Sequence, residues 1–130
     1  MRRPESSVFL RRTLLIDGAF SGIAGVLLWA AAGLFEPWMG LPSALLRGAG
    51  LVLLPFASAV IVLATRHVLP RPAVLAVIGA NVLWVGASLA VLATGHVAPT
   101  PPGIGFVVLQ AVAVLGFAEL QWMGLRRAAA

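Results

Sequence analysis

TLLIDGAFSGIAGVLLWAAAGL, residues 13–34, carries a single acid, Asp17, in an otherwise apolar run bounded by Arg11 and Arg12 on one side and Glu36-Pro37-Trp38-Met39-Gly40-Leu41-Pro42 on the other. About 20 mostly apolar residues suffice to cross a ~30 Å hydrocarbon core, so this run reads as a transmembrane helix. Three more runs have the same character, at about 43–65, 72–94 and 103–125. The stretches between them, Arg66 to Pro72 and Gly95 to Pro102, hold helix breakers, with proline where the next helix would begin. Loops this short force neighbouring helices antiparallel and leave no room for a soluble domain. The reading is a single all-α transmembrane domain over residues 1–130, folded as an up–down four-helix bundle.

Composition agrees with a lipid environment. The chain is 61% hydrophobic and 10% charged, with a mean hydropathy of +1.04. Soluble domains carry about 25% charged residues, so too little charge is present to cover a water-facing surface. The formal charge of +5 comes from arginines at the ends of apolar runs, and the chain has no lysine. Placed there, they suit anionic headgroups, and no nucleic-acid partner is needed to explain them. Cysteine is absent, which removes disulfides, thiolate metal sites and thiol chemistry. The arginine, alanine, leucine and valine usage points to a GC-rich bacterial genome and to the inner membrane.

Orientation follows from the arginines. Arg2, Arg3, Arg11, Arg12, Arg66, Arg71, Arg126 and Arg127 fall on one side of the reading, and Arg47 alone lies near the other. By the positive-inside rule both termini are cytoplasmic. Trp29 and Trp38 suit the outer interfacial belt and Trp122 the inner one. The basic N-terminus followed by an apolar run also resembles a signal peptide, but residues 13–34 exceed the roughly 7–15 residues of a signal core, so a retained helix is expected.

Ionisable and amide side chains within spans cost several kcal/mol unless partnered, so they are the informative residues. At a rise of ~1.5 Å per residue, Asp17 lies about 7–8 Å from Arg12, Glu119 about 10 Å from Arg126 and Asn81 about 15 Å from Arg71. Thr13, Asp17 and Ser21 share one helical stripe; Asn81 and Ser88 share another, with Trp84 beside them. Gln110 and Gln121 share a face of the last span with Phe117, and Glu119 is rotated about half a turn from it. Two readings of Asp17 stand side by side: a rim carboxylate paired with Arg12 or Arg66, and a protonatable site in an inward-open cavity. Asn81 reads as an interhelical hydrogen-bonding group, and Arg47 as an outer snorkelling charge or part of a vestibule. Pro55 is either a tolerated membrane proline or a hinge. Gly18-x3-Gly22, Ser21-x3-Gly25 and Ala76-x3-Ala80 are small-residue seams that permit close helix approach.

The candidate substrate- or proton-binding residues are therefore Asp17, Ser21, Asn81, Trp84 and Glu119, with Arg47, Pro55 and Gln110 as gating or vestibule candidates. His67 and His96 fall on opposite sides and cannot share a metal, and no catalytic, nucleotide or metal motif is found, so neither enzyme activity nor a cofactor is expected. In length, helix number and an acid in the first helix, the layout resembles the small multidrug resistance transporters. It departs from that family in having no tyrosine, in placing Asp17 near the helix end, and in its strong arginine bias. The first expectation is an accessory or scaffold membrane protein that associates through its helices with a second copy or another membrane protein. The alternative is a small proton-coupled transporter or channel-like protein using the polar cluster of the cytoplasmic half.

Overall fold

Where each helix begins and ends is set by a few proline, glycine and capping contacts. The computed structural model describes the backbone of residues 4–129 and the side chains of residues 8–127. The chain is all-helical: α1 (Pro4–Ala30), α2 (Ala32–Met39), α3 (Ser43–Ala64), α4 (Arg71–Ala93) and α5 (Pro101–Ala129). Four of these, all but the short α2, are long and apolar enough to cross a membrane, as a multi-pass membrane protein requires. Arg2 and Arg3, used above for orientation, lie outside the described residues.

Several boundaries differ from the sequence reading. Residues 32–34 were expected to end the first span and Glu36 to Pro42 to close a loop, yet 32–39 form α2, separated from α1 by Ala31. Proline removes only one backbone bond and does not by itself end a helix. What stops α2 is Gly40, in the left-handed region with φ 67°, whose N–H donates to the Glu36 carbonyl at 2.8 Å. A Cβ at Gly40 would also lie 2.7 Å from the Ala98 carbonyl oxygen. The last helix starts at Pro101 rather than 103, because Thr100 acts as its N-cap: the Thr100 hydroxyl accepts the Gly103 N–H at 3.2 Å, leaving the prolines at positions whose N–H would be unsatisfied anyway.

Side chains from distant segments tie the ends of the helices together. The Ser43 N–H, first in α3, donates to Glu36 Oε1 at 2.7 Å, so a carboxylate from α2 caps the positive end of α3. At the same end of the molecule, the Thr100 N–H donates to the Met39 carbonyl at 2.9 Å and its hydroxyl donates to the Trp38 carbonyl. Gly103 lies hard against the Met39 carbonyl, which leaves no room for a side chain there. At the opposite end Arg11 donates to the carbonyls of Ala64, Arg66 (2.6 Å) and His67 (3.5 Å), neutralising the orphan acceptors where α3 ends. These two ends are called below the Gly40 end and the Arg11 end.

Each end has its own apolar core. Leu10, Leu14, Val60, Ala64, Leu69, Val74, Val77 and Leu125 pack together at the Arg11 end. Leu28, Ala32, Met39, Leu41, Leu46 and Val107 do so at the Gly40 end. Helix α1 is central, packing on α3 along one side and on α5 along another, while α4 packs on α5. Helices α3 and α4, consecutive in the chain, do not pack along their lengths.

The α1–α3 contact depends on backbone approaching backbone. A Cβ on Gly50 would stand 2.6 Å from the Gly25 carbonyl oxygen and 2.8 Å from the Trp29 nitrogen. Gly18 is similarly closed by Ile61. The glycine seam on α1 therefore faces α3, whereas Ser21 faces elsewhere. Gly48, two residues from Gly50, has nothing within 4 Å of where a Cβ would sit. Replacing an unhindered helical glycine by alanine gains roughly 0.5–1 kcal/mol. Gly50→Ala is thus expected to lower the thermal midpoint of the detergent-solubilised protein, while Gly48→Ala leaves it unchanged or raises it. Equal shifts from the two would show that the crossing is looser than described.

Candidate functional site

Asp17 stands one turn beyond Thr13 on α1, and both face inward. The Thr13 hydroxyl is satisfied locally by the Leu10 carbonyl, at 2.8 Å. Asp17 finds one donor on its own helix and two on others. Ser21, one turn further along α1, donates its hydroxyl to Asp17 Oδ1 at 3.2 Å. Asn81 of α4 donates from Nδ2 to Asp17 Oδ2 at 2.9 Å, and Gln121 of α5 donates from Nε2 to the same oxygen at 2.7 Å. A second Asn81 N–H reaches Gln121 Oε1 at 3.1 Å, closing a three-membered ring of hydrogen bonds across three helices.

The ring is sealed. Asp17 and Gln121 are 0% exposed, Asn81 3% and Ser21 4%. Among the described residues no buried side-chain nitrogen or oxygen lacks a partner. Three neutral donors converge on one carboxyl group, the pattern that suits an acceptor-only carboxylate. A buried charge is tolerable where hydrogen bonds replace its hydration. The Ser21 bond is the one link whose direction can reverse, since a hydroxyl both donates and accepts.

This arrangement corrects several sequence expectations. Arg12 and Arg66, suggested as partners of Asp17, are both exposed, and amides take their place. Glu119 is exposed on the outside of α5, away from the buried Asp17 and Asn81. The half-turn rotation between Glu119 and Gln121 is what separates them. Gln121 was not singled out as a site residue. Its signal was its face, shared with Gln110 and Phe117 and turned away from Glu119.

A second polar group lies beside the first, toward the Gly40 end. Trp84 donates its indole N–H to Gln110 Oε1 at 2.8 Å. Gln110 Nε2 donates to Ser88 Oγ at 3.0 Å and to the Val107 carbonyl at 2.8 Å, and the Ser88 hydroxyl donates to the Trp84 carbonyl at 2.7 Å. Gln110 and Gln121 thus use their shared face of α5 to bond α4 at two levels. Phe117 on that helix meets Phe20 of α1 edge-on, with ring centroids 5.4 Å apart.

Between α3 and α4, where the helices do not pack, is a half-open cavity of about 410 Å³. Phe20 and Ser21 of α1, Gly48 of α3, Trp84 and Ala87 of α4 and Gln110 of α5 are among its walls, and none of its lining residues is charged. Ser21 belongs to both the polar ring and the cavity, so the ring lies directly behind the cavity wall. Of the remaining candidates, Arg47 is exposed on α3, and Pro55 is exposed on the same helix, which continues through it. Neither lines the cavity. His67 and His96 are exposed and stand in the loops at the Arg11 and Gly40 ends. Among the described residues no three His, Cys, Asp or Glu side chains gather where a metal could be held.

No protein-family model matches the chain, and neither a curated protein nor a solved structure matches it. The functional reading therefore rests on the geometry.

Removing the carboxylate tests the ring. In Asp17→Leu the Asn81 and Gln121 donors lose their common acceptor, and an unsatisfied buried group costs about 1–3 kcal/mol. Asp17→Asn can keep its oxygen toward the two amides and turn its NH₂ onto the Ser21 hydroxyl. The leucine variant is expected to unfold at a clearly lower temperature in detergent, the asparagine variant near the parent. Indistinguishable midpoints for the two would remove the ring from the forces that hold α1, α4 and α5 together.

Proposed function

We propose that this chain is a non-catalytic accessory or scaffold protein of the bacterial cytoplasmic membrane, which associates with other membrane proteins through its helices. In this reading the four long helices form an up–down bundle with both termini in the cytoplasm. The arginines support that orientation: Arg11, Arg66, Arg71, Arg126 and Arg127 belong to segments that meet at the Arg11 end, and Arg47 belongs to the other half of α3.

The observation that carries the reading is the two-sidedness of α4. Its inner face, with Val74, Val77 and Asn81 buried and Trp84 and Ser88 hydrogen-bonded, is committed to the bundle. The opposite face holds Ala76, Gly79, Leu83, Gly86 and Ala90, all exposed, with Leu83 75% so. A Cβ at Gly79 or Gly86 would meet nothing within 4 Å. At ~100° per residue these five positions fall on one narrow stripe. Without a hydrophobic drive between helices in lipid, close packing of small residues is what favours association, and such a stripe offers it.

The native chain has no cysteine, so single cysteines report proximity directly. Gly79→Cys and Gly86→Cys are expected to crosslink to a partner in native membranes, whereas Val112→Cys, on the exposed side of α5, is not. Gly79→Leu should abolish co-purification of that partner without shifting the thermal midpoint. Crosslinking that is absent, or no stronger at the α4 positions than at residue 112, would count against this face as the contact.

A specific observation also favours a second reading, proton-coupled transport. Ser21 joins Asp17 to the cavity, and its hydroxyl can reverse its bond to the carboxyl group. On that reading Asp17→Asn abolishes proton-linked flux in proteoliposomes while preserving the fold. Absence of flux in the parent protein leaves the scaffold reading alone.

A further inference from the structure

We infer that the cavity between α3 and α4 takes the hydrocarbon tail of a bilayer lipid, admitted sideways through the gap between the two helices. The inference rests on the membrane reading above and adds a ligand to it.

The chemistry of the walls selects a tail over a polar ligand. Only Ser21, Trp84, Ser88 and Gln110 bring polar side chains to the lining, and every polar hydrogen they carry is already donated. Ser21 gives its hydroxyl proton to Asp17, and Ser88 gives its own to the Trp84 carbonyl. The indole N–H goes to Gln110, and the Gln110 amide is divided between Ser88 and the Val107 carbonyl. Recognising an anion requires a free donor or a positive charge, and the cavity offers neither. The rest of the wall is apolar, so water, which needs two to four polar partners, finds few there.

Shape and access agree. The volume of about 410 Å³ lies within the ~300–1,000 Å³ usual for ligand pockets, yet a helix about 10 Å across could not enter it. Exposed apolar residues flank the opening on both sides, Leu45, Gly48 and Val52 on α3 and Ala87 on α4. In a bilayer these positions face the acyl chains, so the nearest material of matching chemistry lies at the opening itself.

Trp84 in the wall provides the readout. With Trp29, Trp38 and Trp122 changed to Phe, the full chain is placed in phosphatidylcholine vesicles whose acyl chains carry bromine, a contact quencher of indole emission. All three replaced residues are exposed, so the fold should tolerate the changes. Trp84 emission is expected to fall at least about twofold relative to unbrominated vesicles. Filling the cavity with Gly48→Leu and Ala87→Phe should reverse most of that loss. Gly105→Leu, on α5 outside the cavity and with nothing within 4 Å of its Cβ position, should not. A Trp84 emission indifferent to bromine, or quenched equally with the cavity open and filled, overturns the proposal. The parent protein separates the two failures. If the parent's emission is quenched and that of the variant keeping only Trp84 is not, the chain is inserted and only the tail site is wrong. If neither is quenched, the membrane reading fails as well.

Discussion

A carboxyl group among apolar helices forces everything near it to answer for its hydrogen bonds. Among the described residues Asp17 has no cation partner, and α1 offers it the Ser21 hydroxyl. The remaining donors must come from other helices, and they must arrive together, because Asn81 and Gln121 share one oxygen and bond each other. That condition fixes the rotation of α1, α4 and α5 about their own axes more tightly than apolar packing could, since leucine and valine contacts tolerate sliding. Each such bond is worth only about 0.6–2 kcal/mol in a membrane protein, so its main effect is on specificity rather than on gross stability.

Helix α3 is positioned by a different physics. It contributes nothing to the polar ring, and its mid-helix serine, Ser58, is exposed and satisfied by its own Leu54 carbonyl. What places α3 is the loss of side chains: at Gly50 the two backbones approach to a distance that a Cβ would prevent, and Gly25 opposite leaves little room for one. Its ends are then held electrostatically, Glu36 at the first turn and Arg11 at the last carbonyls, each charge opposing the helix dipole at that end. Van der Waals contact along α1 and charge at both termini suffice, without a polar tie to α4.

The helical layout was legible in the sequence because its signal is redundant: length, hydropathy and breaker residues all mark the same four runs. The region 32–39 was misread because Pro37 was counted among the loop's helix breakers, yet α2 runs through it and stops only at Gly40. Within the site, periodicity on single helices worked well. Thr13, Asp17 and Ser21 share an inward stripe, and Asn81, Trp84 and Ser88 share another. Relations between helices were harder to read. Depth counted from Arg71 put Asn81 about twice as deep as Asp17, yet the two are bonded, so loop arginines are not a common zero for different helices. Charge was also a poor guide to partnership. Glu119 drew attention because it is ionisable, while the neutral Gln121 two residues on completes the ring.

The closed ring and the open cavity follow from one distribution of polar groups. All interhelical polar bonds of α4 go to α1 and α5, at Asn81 and again at Trp84 and Ser88. Those bonds turn the amide and indole side of α4 inward and leave its alanines and glycines outward. They also hold α4 against α5 at two levels, with no counterpart drawing it toward α3. The consequence is a gap beside α3 whose walls keep the polar hydrogens of α4 and α5 engaged with each other. An additional polar bond from α3 to α4 would close that gap and bury Gly48 and Ala87. Its absence among the described residues leaves a largely apolar, uncharged recess on one side of α4 and a small-residue face on the other, both suited to apolar neighbours.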